Sequence, residues 1–502
     1  MTVAHSPETL NPNPLLESFD RLREFVADAA RDGLSLKVTE ETVLKLILQL
    51  AHAAMTLFFT LQGSGDLGPT LETDDGTLHR SDEPHTREVR TLFGEHSYAA
   101  YIYGRDLDRK IDFRPVDVRM ELPAGKFSPK FCEIAHLLFA EQAFERTAKT
   151  LEAIFGHAIS VHSLERISET LAPDAEQFLF QVPIPKTKDE GQLLVMSGDG
   201  KGVPMIREEV AQTPAFEKKA YPGNRKMATL ATVYSVDCFY RTADEVLDAL
   251  FRETKEKSPS KRPEPVGKVV VGFLTQWLEG DEEPMLGSIQ AFTWAQEQMT
   301  RRHRPGQPLI RLMDGQASLW DMGDVCAVEG VTPIDILDII HVSSYVWTAA
   351  KIFHAHREHQ EAFTRDRLGR ILRGDVGGVI SGLRQMATKQ KLSKADVAAI
   401  EVVCGYFEKN RDRMKYDEYL RSGYPIATGV IEGACRHLVM DRLCRTGMRW
   451  SVAGSQAMLH MRAVHQADLG KAFHNYRADC HREKLSEYRS LLKDYEPHTL
   501  CG

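Results

Sequence analysis

Apolar residues recur every three or four positions through LLESFDRLREFVADAARDG, which predicts a helix that stops at Gly33. The same period in TEETVLKLILQLAHAAMTLFFTLQ predicts a second helix beginning near Thr39, with that threonine as cap and Glu40 and Glu41 in its first turn. GSGDLGPTLETDDGTLHRSDEPHT has no period and reads as loop. REVRTLFGEHSYAAYIYGRDLDRKIDFRPVDVRMEL then turns to β-branched and aromatic residues around Gly94 and Gly104, predicting a small antiparallel sheet. From Ser128 the helical period returns for three helices, with a tight turn at Gly156 and a new start at Ser160. Two short helices joined through a glycine turn make a helix-turn-helix candidate. Its second helix offers His162, Ser163 and Arg166 against Glu165 and Glu169, little with which to grip phosphates, and a plain helical hairpin explains the pattern as well.

PDAEQFLFQVPIPKTKDEG reads as a linker, and beyond it the period shortens. QLLVMSG, MATLATVYSVDCF, KVVVGFLTQ, PLIRLMD and DILDIIHV are strand-like runs, helical runs alternating with the later ones, so a mixed α/β sheet is expected. Residues 345–421 are helical almost throughout, a last helix spans GVIEGACRHLVMDRLCRT, and a polar tail closes the chain. The divisions this implies are 1–80 (helices and loop), 81–127 (β element), 128–175 (helix-turn-helix-like), 190–344 (α/β core), 345–421 (helical insertion), 422–465 (second part of the core) and 466–502 (tail).

Composition adds boundaries to that outline. The 502 residues are 42% hydrophobic and 27% charged, enough to bury a core, and the net charge of −8 means that affinity for a polyanion must come from local patches. The eight cysteines are scattered with no Cys-x-x-Cys pair, so no structural zinc is expected. With no secretory signal, free thiols in a reducing cytoplasm are the simplest account. The longest apolar runs, LKLILQLAHAAMTLFF among them, carry polar and basic breaks and read as too short for a bilayer span. A soluble cytoplasmic protein is therefore expected.

Three acids share an unusual setting. Asp199 ends an apolar run between Gly198 and Gly200, Asp314 ends PLIRLMD before Gly315, and Glu432 precedes Gly433 near the start of an apolar helix. A carboxylate at a buried strand end needs a cation or hydrogen-bond donors, and glycine neighbours remove bulk so that something large can approach. Mg²⁺ answers both points, since it takes oxygen ligands and keeps water and substrate phosphate in its shell. Taken singly, each acid also fits a turn or a helix cap. Basic residues surround them: Lys201 on the face of Asp199 if the strand continues, Lys218, Lys219, Arg225 and Lys226 in one loop, and Arg436, His437, Arg442, Arg445 and Arg449 after Glu432. Arg436, one turn beyond Glu432, has the reach either to pair with it or to meet a phosphate. A solvated charged face explains such residues, and so does a rim for a polyanionic substrate.

GDGKGVPM, NRKMATLATVYSVD, LIRLMDGQASLW, DILDIIHVSSYVW and YPIATGVIEGACRHLVMDRLCRTGMRWS together resemble the DDE transposases of bacterial insertion sequences of the Kra type. The resemblance covers most of the chain. It implies an RNase H-like catalytic domain interrupted by an all-helical insertion, with Asp199, Asp314 and Glu432 as catalytic triad and ligands of two Mg²⁺ (or Mn²⁺) ions. It also implies cleavage of a DNA strand at the element end, attack of the freed 3′-hydroxyl on target DNA, and a homodimer or larger assembly on that DNA, with no membrane partner. DIIH matches an Asp-x-x-His signature of related transposases, so His341 is expected to help hold DNA, with a satisfied core histidine as the plainer reading. The chain departs from the pattern at Met440, where a basic residue is expected. Two other classes compete. One is an inactive, transposase-derived DNA-binding or regulatory protein. The other is a zinc enzyme using His354, His356 and His359, whose spacing is not that of a His-Glu-x-x-His site.

Overall fold

The computed structural model describes residues 13–106, 110–207, 224–252, 261–277, 283–445 and 447–499, which fall into two units, one formed by the chain up to Thr170 together with Leu469 onward, the other by Leu171–Asp468.

The first unit begins with helices Asn13–Asp32 and Leu36–Leu61. The second starts three residues earlier than Thr39, because Ser35 caps it by accepting from the Val38 amide. By length and composition this 26-residue helix is able to cross a membrane, contrary to the expectation drawn from its polar breaks. Its C-terminal part packs Phe59 and Met55 against Val89, Tyr98 and Ala100. The stretch expected to be loop contains a hairpin, β1 (Thr70–Thr73) and β2 (Gly76–Arg80), with Gly76 at φ +122° in its turn and Leu78 buried. Only one face of those short strands is apolar, so their period is too brief to register in the sequence. The expected antiparallel hairpin is β3 (His85–Thr91) with β4 (Gly94–Ala100), turned at Gly94 (φ +117°), and β5 (Tyr103–Gly104) pairs with β2. Helices Pro129–Phe139 and Phe144–Phe155 follow, the latter ending on left-handed Gly156. Ser160 then starts the next helix, its hydroxyl accepting from the Ser163 amide. The tail, expected only as polar chain, contains helix Gly470–Lys484, and Arg482 pairs there with Glu121.

The second unit is mixed α/β. The helix from Val161 runs on to Phe180 through Pro173, so the first half of the expected linker is helical. Leu171, Ala175, Phe178 and Leu179 hold it by burial, and Trp294 donates to the Leu179 carbonyl. Its sheet has five strands in the order β10-β9-β6-β7-β8: β6 (Leu193–Pro204), β7 (Arg225–Val236), β8 (Val266–Leu274), β9 (Leu309–Met313) and β10 (Ile334–Leu337). β6, β7 and β8 are antiparallel, whereas β9 runs parallel to both β6 and β10. β7 and β9 are buried on both faces almost throughout, as a sheet covered on both sides requires, and the buried Arg311 of β9 pairs with Asp324 and Asp335. β10 is shorter than the run DILDIIHV, because Asp338 caps a helix, Ile339–Phe353, and takes the rest of that run into it.

Helices Arg357–Leu372, Val376–Lys389, Lys394–Lys409 and Tyr416–Arg421 build the expected helical region. They share one hydrophobic core with Val195, Leu312 and Ile336 of the sheet, so the insertion is packed onto the sheet and not tethered beside it. The last expected helix is not uniform. Gly429–Ala434 is α-helical, Cys435–Met440 is a π-helix, and Asp441–Leu443 returns to α. Buried Arg462, on helix Val452–Gln466, donates Nε to the Leu438 carbonyl at 3.0 Å and a second N–H to that of His437, and these bonds compensate the widened turn.

Candidate active site

Asp199 lies in the middle of a 12-residue strand, opposite Leu230 of β7, and not at a strand end. It is partly exposed, and β9 pairs with β6 only at Leu194, Val195 and Met196, so that edge of β6 has no strand partner from there until Pro204 accepts from the Trp450 amide. Its Oδ1 accepts from the Gly200 amide at 2.6 Å and its Oδ2 from the Cys435 thiol at 3.0 Å. Burial, and next the Asp199 carboxylate, push that thiol far above the usual range, so Cys435 remains a donor. Sequence reasoning missed Cys435, since only the π-turn aims it at β6. Lys201 sits two residues along the strand, on the same side, close enough to act on the Cys435 thiol.

Asp314 follows β9 directly. Its Oδ1 accepts from the Gln316 amide at 2.8 Å, and Trp320 Nε1 holds its carbonyl at 2.6 Å. Burial raises its pKa above the ordinary value, and Asp199 and Asp338 add to the rise, while the Gln316 amide and His341 oppose it. Glu432 is likewise raised, by desolvation first, then by Asp338 and Asp199 against His341. The three expected carboxylates thus share one electrostatic field, Asp199 acting on each of the other two.

The tightest grouping is another one. Ligand atoms of Asp338, His341 and Glu432 lie within 4.8 Å of one another, the one such trio among the described residues, and Asp199 and Asp314 stand outside it. Asp338 opens the Asp-x-x-His motif, but its role was not legible there. It is fully buried, with Oδ1 accepting from the amides of Ile340 (3.1 Å) and Thr428 (3.2 Å) and Oδ2 from the Thr428 hydroxyl (2.7 Å). A carboxylate has about four lone-pair sites, so three are taken. Asp338 is foremost a brace that joins the start of the His341 helix to the start of the Glu432 helix, and one lone pair remains on Oδ2. His341 and Glu432 are the freer donors of the trio.

The glycines beside the two aspartates serve internal packing and not the approach of a ligand, contrary to expectation, whereas a Cβ on Gly433 beside Glu432 would meet no described neighbour. A Cβ on Gly198 would stand 2.9 Å from the Phe292 ring, one on Gly200 2.8 Å from Met227 Sδ, and one on Gly315 2.3 Å from the Tyr406 ring. Tyr406 comes from the helical insertion and stacks on Tyr345, centroids 3.8 Å apart, one helical turn beyond His341. Its hydroxyl is buried with no partner of good geometry, and burial, followed by Tyr345, Asp314 and Asp338, raises its pKa. No local signal marks Tyr406, which reaches Asp314 only through tertiary packing.

The basic rim is smaller than expected. Lys226 is buried, and Arg442 is wholly buried with its guanidinium 5.1 Å from the Trp450 ring, so neither is displayed to a phosphate. Both lie where the apolar period of strand and helix turns them inward. Arg436 and His437 pair with Asp441 (3.6 and 3.0 Å), not with Glu432, and Arg445 donates to the Asp441 carbonyl. Arg225 and Arg449 are exposed, donating to the carbonyls of Gly202 and Met448. Lys218 and Lys219 lie outside the described residues. His354, His356 and His359 meet edge to face, with centroids 5.9 and 6.2 Å apart, and form no ligand trio among the described residues.

No family model matches the chain, and no curated protein matches it. Among solved structures, the Drosophila P element transposase strand transfer complex is similar over 76% of this chain and 84% of that chain, at 10% identity and a TM-score of 0.25. The functional reading rests on the site itself.

Proposed function

We propose that the chain is a DDE transposase of an insertion sequence, cutting DNA at element ends and joining the ends to target DNA in a metal-dependent phosphoryl transfer. The observation that carries this reading is the placement of the carboxylates: Asp199 on the central strand, Asp314 at the end of its parallel neighbour, and Glu432 on a helix packed against β6 and β7. The order β8-β7-β6-β9-β10, with the first strand of the unit central and the fourth beside it, supports an RNase H-like core.

The donor set suits a hard divalent cation. Carboxylates gathered in partly buried space repel one another, as the raised Asp314 and Glu432 record, and a cation relieves that repulsion. Asp199, Asp314 and Glu432 would hold Mg²⁺ or Mn²⁺, two ions per site, with His341 beside them. Such ions supply Lewis acidity toward a phosphodiester. Lys201, Arg225 and Arg449 would orient DNA phosphates, and DNA, a homodimer or larger assembly and a cytoplasmic setting complete the proposal. In-line attack by water and then by a 3′-hydroxyl needs no protein nucleophile.

The test uses purified protein, Mg²⁺ and DNA carrying the sequences that flank its coding region, beside an Asp199→Ala variant that still folds and binds. Nicking at the end that needs metal and disappears in the variant is the expected result. Binding by both proteins without cutting under Mg²⁺ or Mn²⁺ would replace this reading with that of an inactive, transposase-derived DNA-binding protein.

A further inference from the structure

A cavity of about 890 Å³ lies behind the helix that carries Glu432, within the size range of small-molecule sites. One wall is the face of that helix bearing Gly429 and Gly433, and Glu432 is off this face. The lining also includes Phe239, Tyr240 and Arg241 after β7, Arg262 shortly before β8 and Lys268 within it. No part of the carboxylate site is used.

The charges along this wall are unevenly satisfied. Its acids are engaged: Asp248 with Arg365 (2.5 Å), Glu264 with Lys261 (2.8 Å), Glu245 in a capping box with Thr242, and Asp237 with the Gln192 amide (3.2 Å). Among the described residues, its arginines and lysine have no carboxylate partner. Arg262 and Lys268 are exposed to solvent and make no ion pair with any described residue, and Arg241 has a buried Nε without a partner. The Arg241 guanidinium rests over the Phe239 ring at 5.1 Å and gives one N–H to the Tyr424 carbonyl at 3.3 Å. Burial, and then the neighbouring Arg262, hold Arg241 below the usual arginine range. Glu245 opposes this in part, and an anion between the two guanidinium groups would further offset their mutual repulsion.

The glycines point the same way. Gly429 and Gly433 sit one helical turn apart, neither in the left-handed region, and a Cβ at either would meet nothing within 4 Å. Glycine weakens a helix relative to alanine, and no neighbour among the described residues requires it here. This open face and the three cations line the same cavity.

We propose that this cavity binds an organic anion with an aromatic body, its charged head between Arg241 and Arg262 and its body against the Gly429–Gly433 face. The ligand thereby contacts the Glu432 helix from behind, whatever reaction the carboxylates perform.

The probe is 8-anilinonaphthalene-1-sulfonate, an aromatic sulfonate that brightens on leaving water, titrated into the full chain without DNA or metal. A saturable site is expected. Arg241→Gln should weaken it at least about tenfold by removing a charge-assisted contact, and Gly433→Leu should abolish it by filling the open face. Dye on the exposed Leu44, Ile47 and Phe58 would respond to neither substitution, which separates that background. Hydrogen exchange in the wild type should slow at the amides of 429–434 when the probe is bound. Absence of a saturable site, or wild-type affinity in whichever variant keeps the wild-type melting temperature, would overturn the proposal. Because neither DNA nor metal is present, the outcome is independent of the transposase reading.

Discussion

Asp338→Ala tests whether the aspartate of the Asp-x-x-His motif is a brace. The substitution leaves three donors unpaired, the part-buried Ile340 amide and the buried Thr428 amide and hydroxyl. Loss of a helix N-cap costs about 1 kcal/mol, and each buried donor stripped of a charged acceptor costs about 1–3 kcal/mol, with overlap between the two terms. A total of about 4 kcal/mol follows, which for a unit of this size lowers the melting temperature by roughly 10 °C. Asp338→Asn keeps one acceptor oxygen, and the Thr428 hydroxyl is able to turn and accept from the new amide, so its loss should stay near 1 kcal/mol. Thermal and urea unfolding followed by circular dichroism measure both. Calorimetric titration with Mn²⁺ adds the functional arm, where a brace predicts that Asp338→Asn changes affinity less than about threefold, well under the tenfold of 1.4 kcal/mol. A loss below 1 kcal/mol in the alanine variant would refute the brace. A tenfold drop in Mn²⁺ affinity for the asparagine variant would make Asp338 a ligand instead.

Two further outcomes are expected. Asp314 and Glu432 have folded-state pKa values raised above their ordinary ones, so their contribution to apo stability is present below the unfolded pKa and lost as pH rises through the folded value. An Asp314→Asn/Glu432→Gln variant should therefore be more stable than wild type at pH 7 without metal. The gap should close as pH falls through the carboxylate range, and a gap constant from pH 7 to 4 would contradict the shared field. Gly315→Ala forces a methyl group against the Tyr406 ring, which Tyr345 backs, and should cost about 1–3 kcal/mol. Adding Tyr406→Ala should recover part of that loss in a double-mutant cycle, whereas strictly additive losses would exclude the contact.

Much of the architecture is legible along the chain because it is periodic. The five core strands, the helical block after Tyr345, the hairpin turning at Gly94 and the helix stops at Gly33 and Gly156 each leave a local pattern that burial or left-handed backbone requires. Asp199, Asp314 and Glu432 are visible for the same reason, as charges that interrupt apolar runs. What only the tertiary structure decided are the partners. The glycines beside the aspartates look like openings until Phe292, Met227 and Tyr406 are found filling them. Lys226 and Arg442 read as part of a basic rim until burial removes them. Asp338 is one acid among many until Thr428, ninety residues away, takes up its lone pairs. Periodicity reports which side of an element faces inward, a property of neighbours in sequence. Which groups meet there depends on contacts distant along the chain, and a single sequence carries no local record of those.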